Sequence, residues 1–259
     1  ILQEIGMYLD TPDDLVFDKW QEVAYPGQPM GRSILGKSDI IKSISRDEVE
    51  NFMKSYYRPE KMVFSVSGNF NENHVNELIE KYFQNLPKGS EDHSPKSIYR
   101  GGEYRQQKDL EQVNLILGFE GVDFYSGLYY PTAVYSTVLG SGMSSRLFQE
   151  IREKRGLVYS ISSYTSSFSD SGIFGVYAGT GQKEVMELVP VLCDQLNIDA
   201  STFTLEELQR AKAQFKSALL MGQESTSTRC RSNASKYLIH NRLIPIEEII
   251  SEIDSVKLD

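Results

Sequence analysis

Three histidines are the first residues to test for chemistry, because a catalytic zinc site commonly takes two imidazoles from one face of a helix. They are His74, His93 and His240, and their separations exclude the His-x-x-x-His spacing of such a pair. We expect His74 at the start of a surface helix and His93 in a linker, both solvated, and His240 at a helix end. These histidines alone therefore cannot hold a catalytic zinc.

Other reactive groups give no stronger signal. Cys193 and Cys230 lack a metal-type spacing and a flanking catalytic signature, which favours a reducing compartment over a disulfide framework. The sequence contains no Gly-x-Ser-x-Gly turn. Gly140-Ser141-Gly142 follows a predicted helix and lacks the Lys-Ser/Thr ending of a phosphate loop. Serine and cysteine hydrolases and nucleotide-binding proteins are therefore disfavoured.

Composition restricts the partners. The 259 residues include 27 Lys and Arg against 36 Asp and Glu, a net charge of -9. This charge disfavours a nucleic-acid or anionic-membrane surface and favours a cationic partner. The sequence shows no run of about 20 apolar residues and no signal-peptide pattern, so we expect neither a nucleic acid nor a membrane as a partner.

The first third of the chain predicts helices, a loop and one strand. Ile1, Leu2, Ile5 and Leu9 follow a helical period from the first residue, so the chain is expected to start inside a helix. A capping box joins Ser45 to Glu48. The predicted elements are a helix after Thr11-Pro12-Asp13-Asp14, an irregular loop over 25–36, a helix from Ser45 to Tyr57, a strand over Met62 to Ser67 and a helix from Asn73 to Asn85.

The remainder predicts a linker, strands and then helices. Residues 88–109 have linker composition. The predicted elements after it are a strand over 113–119, helices over 127–139 and 145–154, a hairpin of 157–168 with 173–178, and helices over 183–196, 204–223, 226–240 and 246–253. Strands grouped before helices indicate an α+β fold.

Longer strings carry a family resemblance. Ile1-Leu2-Gln3-Glu4-Ile5, Thr11-Pro12-Asp13-Asp14 and Gly31-Arg32-Ser33-Ile34-Leu35-Gly36 resemble the zinc-domain half of the pitrilysin family of zinc metallopeptidases. Ser141 to Phe148 and Arg152 to Ser160 are similar to that family's second domain. The resemblance is strongest to the bacterial processing-protease branch, which is related to mitochondrial processing peptidase.

The resemblance implies two related domains, each a sheet flanked by helices, closing as a clamp. Residues 1–87 correspond to the C-terminal part of the zinc-binding domain, 88–109 to a linker, and 110–259 to the second domain. The first domain is expected to be only partly present, and the second to be truncated at its C-terminal end. The family's His-x-x-Glu-His segment is absent from this sequence.

The resemblance also assigns three site residues. Glu4 matches the distal carboxylate ligand of zinc, while Arg152 and Tyr159 match a pair, seven residues apart, that contacts the substrate across the chamber. A tyrosine hydroxyl can donate to an oxyanion and a guanidinium can hold a carbonyl. Without the resemblance, Glu4 and Arg152 would be interpreted as solvated helix residues and Tyr159 as an exposed strand aromatic.

The implied function is that of a zinc-dependent endopeptidase that cleaves extended peptides, of which this chain is an inactive fragment without zinc of its own. A homodimer or a heterodimer with a related subunit is expected, in the bacterial cytoplasm or alternatively the mitochondrial matrix. One alternative is a non-catalytic partner or core-type subunit of the same fold that binds peptide or assembles with an active subunit. A more remote alternative is an interaction module without a peptide chamber.

Overall fold

The structure is a computed structural model that describes residues 1–86 and 95–258. These residues form two compact units. The first contains Ile1–Ser38, Lys96–Phe215 and the described part of Glu252–Asp259; the second contains the described part of Asp39–Pro95 together with Lys216–Ser251. The boundaries of these units differ from the expected domain boundary at 88–109. Residues 88–94 of that expected linker lie outside the described residues. The assignment of two domains joined by a linker stays a prediction.

The first unit is built on a three-stranded antiparallel sheet. Its strands are β1 (Val113–Glu120), β2 (Ser160–Ser167) and β3 (Gly172–Thr180), in the order β1-β3-β2. β3 is central, with Thr180 opposite Val113 of β1 and Gly179 opposite Ser160 of β2. Valine, isoleucine and aromatic residues favour a pleated, half-buried surface. The predicted strand and hairpin are therefore confirmed.

Two helices cover one face of this sheet. They are α6 (Tyr129–Gly140) and α7 (Val185–Leu196). α6 lies against β2, where the Ser163 hydroxyl donates to the Ser136 carbonyl oxygen at 2.6 Å. A Cβ atom on Gly140 would stand 2.4 Å from the Ser163 nitrogen, so only glycine permits this approach. The core beneath the helices includes Leu139, Leu147, Ile151, Val176, Leu188 and Leu192, all buried.

The N-terminal helices belong to the same unit. They are α1 (Leu2–Leu9) and α2 (Pro12–Ala24). Trp20 of α2 contacts Tyr164 of β2 edge to face, with ring centres 5.5 Å apart. A Cβ atom on Gly118 of β1 would stand 1.7 Å from Trp20 Nε1. The indole ring therefore occupies the space that any larger residue at position 118 would need.

Replacing Gly118 by alanine is expected to destabilise the chain by about 2 kcal/mol, because overpacking displaces the Trp20 ring. The free energy of unfolding in urea measures this loss. Gly127→Ala is the matched control, since its Cβ atom would meet nothing within 4 Å. Equal stability of the two variants would contradict the packing of Trp20 on β1.

The other described helices include two that begin with the predicted capping boxes. These other helices are α3 (Ser38–Ser43), α4 (Arg46–Tyr56), α5 (Glu72–Phe83), α8 (Leu205–Gly222), α9 (Thr226–His240) and α10 (Ile246–Ser255). The Ser45 amide donates to the Glu48 carboxylate at 2.7 Å, and the Glu48 amide donates to Ser45 Oγ at 3.2 Å. Thr204 and Glu207 repeat this arrangement at 2.8 and 3.2 Å. Both predicted capping boxes are confirmed, as is the α+β class.

Two predicted elements differ from the structure. The strand expected over Met62 to Ser67 is wrong, because this segment has no strand pairing within the described part of the chain. Instead, Phe64 packs on Phe83 of α5 with ring centres 4.6 Å apart, and the Cys230 thiol donates to the Ser65 carbonyl oxygen at 2.9 Å. Composition gives strand propensity but cannot supply a neighbouring strand. The helix expected over 145–154 is a short π-helical segment, Phe148–Glu153.

Candidate active-site half on the first unit

Arg152 lies on the π-helical segment Phe148–Glu153, a type of helix that recurs at functional sites. The neighbouring Ile151 is fully buried and fixes the segment on the core, while the Arg152 side chain is exposed. Its guanidinium carbon lies 4.7 Å from the centre of the Phe148 ring, a cation–π contact that orients the charge. The backbone of Arg152 is therefore fixed by the buried neighbour Ile151, while the guanidinium group is exposed to solvent.

Arg152 differs from the two cations that follow it. Lys154 pairs with Glu150 at 2.7 Å and Arg155 pairs with the same carboxylate at 3.1 Å. These cations hold the Glu150 pKa below its usual range, the Lys154 hydrogen bond having the largest effect. No carboxylate partner of Arg152 occurs among residues 1–86 and 95–258. A ligand could therefore approach its guanidinium without first breaking an ion pair.

Tyr159 directly precedes β2, on backbone tied to the core. Its amide donates to the Gly179 carbonyl oxygen at 2.8 Å. The buried hydroxyl of Thr180 donates to the Leu157 carbonyl oxygen at 2.5 Å, and Leu157 and Val158 are buried. The Tyr159 side chain is nonetheless 63% exposed. Because its backbone is fixed and its phenol is exposed, Tyr159 can present its hydroxyl group as a preorganised hydrogen-bond donor.

The connection from Arg152 to Tyr159 is short and structured. The Gly156 amide donates to the Arg152 carbonyl oxygen at 3.0 Å, and Gly156 has a φ of 66°, a left-handed conformation that favours glycine. The Leu157 amide then donates to the Ile151 carbonyl oxygen at 3.1 Å. Both predicted substrate-contacting residues thus lie on one well-ordered connection of the first unit, and their catalytic roles stay predictions.

A second ion pair supports the segment that precedes Arg152. Arg146 Nε lies 2.6 Å from Glu207 Oε1, and its Nη2 lies 2.8 Å from Oε2. The guanidinium also lies 3.9 Å from the centre of the Phe203 ring. The Arg146 hydrogen bond is the largest cause that lowers the Glu207 pKa to about 2. This bidentate pair connects the start of α8 to the residues just before the π-helical segment.

Glu4 lies on α1, where the neighbouring Ile5 is buried and the Glu4 side chain is 66% exposed. Its carboxylate lies 3.4 Å from the Ile1 amino group. A zinc site needs three or four protein ligands, and the structure arranges no group of three or more His, Cys, Asp or Glu side chains for a metal among the residues that it describes. Glu4 can supply one ligand and cannot hold zinc by itself.

Neither described histidine forms a metal-binding group with Glu4. His74 is exposed on α5, with its Nδ1 atom 3.7 Å from Glu77 Oε2, and His240 is the last residue of α9. Their predicted positions at a helix start and a helix end are confirmed. His93 lies outside the described residues, so its expected position in a linker stays a prediction.

A known protein family matches more than half of the chain. Residues 43–215, more than half of the chain, match the family described as "Peptidase M16 inactive domain". The chain therefore belongs to the M16 peptidase family, which confirms the resemblance to zinc metallopeptidases. The matched part is described as the family's inactive domain.

Relatives in sequence are named as zinc proteases. A protein of Rickettsia felis named "Uncharacterized zinc protease" is 37% identical over 260 residues, which covers 100% of this chain and 63% of that protein. The "Uncharacterized zinc protease YmxG" of Bacillus subtilis is 34% identical and is covered to 64%. The chain thus spans less than two thirds of the relatives' length. Both relatives are bacterial, and no described helix has the length and apolar character that crossing a membrane requires.

Solved structures show the same fold. The crystal structure of a peptidase M16 inactive domain from Pseudomonas fluorescens matches with a TM-score of 0.84 at 18% identity, covering 99% of this chain and 62% of that one. A protease from Helicobacter pylori matches with a TM-score of 0.80 at 21% identity, with 99% and 64% covered. Since both identities are low, these matches support the fold alone.

Proposed function

We propose that this chain is part of a zinc-dependent endopeptidase that cleaves extended peptides in a chamber between two related domains. The observation that carries the proposal is the exposure of Arg152 and Tyr159 on backbone that is fixed to a buried core. Exposed side chains on a rigid base can contact a ligand with little reorganisation. The chain would provide the substrate-binding half of the active site.

The two side chains have different tasks in this proposal. The Tyr159 hydroxyl donates a hydrogen bond to the oxyanion that forms on the scissile carbonyl. The Arg152 guanidinium binds a peptide carbonyl and keeps the extended backbone in place. Glu4 would hold zinc together with ligands outside this chain, and the metal would supply a water with its pKa lowered toward about 7.

The charge of the chain indicates the substrate class. A net charge of -9 attracts cationic ligands and disfavours anionic ones. We therefore propose basic, unfolded peptides such as targeting presequences as substrates, as in processing proteases of the mitochondrial type. The bacterial relatives favour the bacterial cytoplasm over the mitochondrial matrix as the site of action.

A second candidate is a non-catalytic subunit of the same fold. The match to an inactive domain favours it, because such a domain can bind peptide or assemble with an active subunit without cleaving anything itself. This candidate implies a heterodimer with a related subunit, whereas the catalytic candidate is compatible with a homodimer. Dependence of cleavage on a second gene product distinguishes them.

The test uses the full-length protein. Purified wild type is expected to bind zinc and cleave an unfolded basic peptide, and a chelator is expected to stop cleavage until zinc is restored. Glu4→Gln, which replaces the anionic ligand by a neutral amide, is expected to weaken zinc binding by at least about tenfold. Metal titration and a peptide-cleavage assay measure the two effects.

The matched control is Glu111→Gln, which removes an exposed carboxylate and should leave both measurements unchanged. If Glu4→Gln binds zinc like the wild type, Glu4 is not a ligand. If the wild type cleaves only after a related subunit is added and the zinc belongs to that subunit, the non-catalytic candidate is correct.

A further inference from the structure

A carboxylate lies beside Tyr159, at the junction of β3 and α7. Gly181, a buried residue, follows β3 directly. A Cβ atom on Gly181 would stand 2.2 Å from Glu184 Oε2 and 3.6 Å from the Tyr159 hydroxyl oxygen. The carboxylate and the phenol therefore approach the same point on the backbone, where the Glu184 carboxylate occupies the space that a Cβ atom on residue 181 would need.

Both side chains start from fixed backbone. The Glu184 carbonyl oxygen accepts a hydrogen bond from the Leu188 amide at 2.9 Å, in the first turn of α7. Leu188 is fully buried, and the Val185 amide donates to the Gly181 carbonyl oxygen at 3.2 Å. The placement of Glu184 beside Tyr159 is therefore set by the packing of α7 and β3 rather than by a mobile loop.

The surroundings of this carboxylate are unusual for a glutamate. Glu184 is half-buried, and in the described part of the chain its side chain has neither an ion pair nor a hydrogen bond. Partly buried carboxylates usually have a partner, because removal from water is costly. The N-terminus of α7 stabilises negative charge, and Glu187, in the same turn, is exposed where Glu184 is half-buried.

We propose that Glu184 is a specificity residue that binds a positively charged side chain of the peptide substrate next to Tyr159. The inference rests on the proposed function, because Tyr159 is the residue that brings the substrate there. A lysine or arginine of the substrate would satisfy the carboxylate, whereas an acidic residue would be repelled. The substrate-binding part of the active site on this chain thereby consists of Arg152, Tyr159 and Glu184, while Glu4 is the proposed zinc ligand.

The test compares paired peptides with the full-length protein. One series carries a single arginine at successive positions of an otherwise neutral peptide, and the other carries citrulline, its uncharged isostere, at the same positions. At the preferred position, Glu184→Gln is expected to lower kcat/KM for the arginine peptide by about fivefold. It should leave kcat/KM for the citrulline peptide unchanged, since only the charged partner is lost.

Two controls separate specificity from structure. Glu187→Gln removes a carboxylate from the same turn of α7 and should change neither peptide. Tyr159→Phe should lower cleavage of both peptides alike. Equal losses for both peptides with Glu184→Gln, or no loss for either, would overturn the inference. If the wild type cleaves neither peptide, the proposed function fails, and dissociation constants of the same peptides for wild type and Glu184→Gln then decide the role of Glu184.

Discussion

Replacing Tyr159 by phenylalanine in the full-length protein is expected to lower kcat/KM for an extended peptide by about 100- to 1,000-fold, the cost of losing one oxyanion donor. The effect should fall mainly on kcat, because the hydrogen bond strengthens as charge develops on the carbonyl oxygen. The phenyl ring retains the packing of the side chain, so the free energy of unfolding should stay the same. Steady-state kinetics and urea unfolding measure the two quantities.

Tyr125→Phe is the matched control for this experiment. Tyr125 is 59% exposed, close to the 63% of Tyr159, and lies in the same unit. Its replacement should leave kcat/KM unchanged. If folded Tyr159→Phe and Arg152→Ala both cleave like the wild type, these residues do not contact the substrate, and the chain acts as an interaction module instead.

Between pH 7 and pH 3, acid is expected to remove about 2 kcal/mol of the stability that depends on the pair of Arg146 and Glu207. The folded-state pKa of Glu207 is about 2, against 4.5 for an ordinary glutamate. Because this pKa is lowered on folding, the contribution is fully present above about pH 4.5 and is lost as the pH falls toward 2. Both side chains are largely shielded from water, at 15% and 17% exposed, so little of the effect is screened.

The measurement is the free energy of unfolding of wild type and Glu207→Gln between pH 7 and pH 3. Other carboxylates titrate in both proteins, so the informative quantity is the difference between the two curves. That difference should shrink as the pH falls. Glu206→Gln, which removes an exposed neighbour of Glu207, should follow the wild type. Parallel curves for wild type and Glu207→Gln would show that the ion pair contributes nothing to stability.

The elements that depend on local rules were predictable from sequence. Ser45 with Glu48, and Thr204 with Glu207, form capping boxes whose hydrogen bonds close within four residues. The hairpin of β2 and β3 is likewise a local structure. The strand expected over Met62 to Ser67 was wrong because pairing needs a neighbour that composition does not specify. The π-helical form of Phe148–Glu153 also depends on the core beneath it.

The site was predictable only in part. Glu4, Arg152 and Tyr159 came from the family resemblance, since an isolated glutamate, arginine or tyrosine is usually solvated. Glu184 was not found, because a glutamate at a helix start has an ordinary explanation in the helix dipole. Its proximity to Tyr159 depends on the missing Cβ atom of Gly181. The signal that the sequence offered was the pair Gly179 and Gly181 on either side of Thr180. Glycines at the end of a strand often mark a place where another group closely approaches the backbone.

The position of β3 at the centre of the sheet also matters during synthesis. β1 leaves the ribosome before either of the other strands, and its partner β3 is the last of the three to appear. Until β3 is made, the backbone N–H and C=O groups of the uncharged run Val113 to Phe119 have no strand partner. Unpaired strands of this composition favour aggregation. Gly118 lies within this run and lowers its β propensity. The residue that accommodates Trp20 in the folded protein therefore also lowers the tendency of this run to pair as a strand before β3 is available.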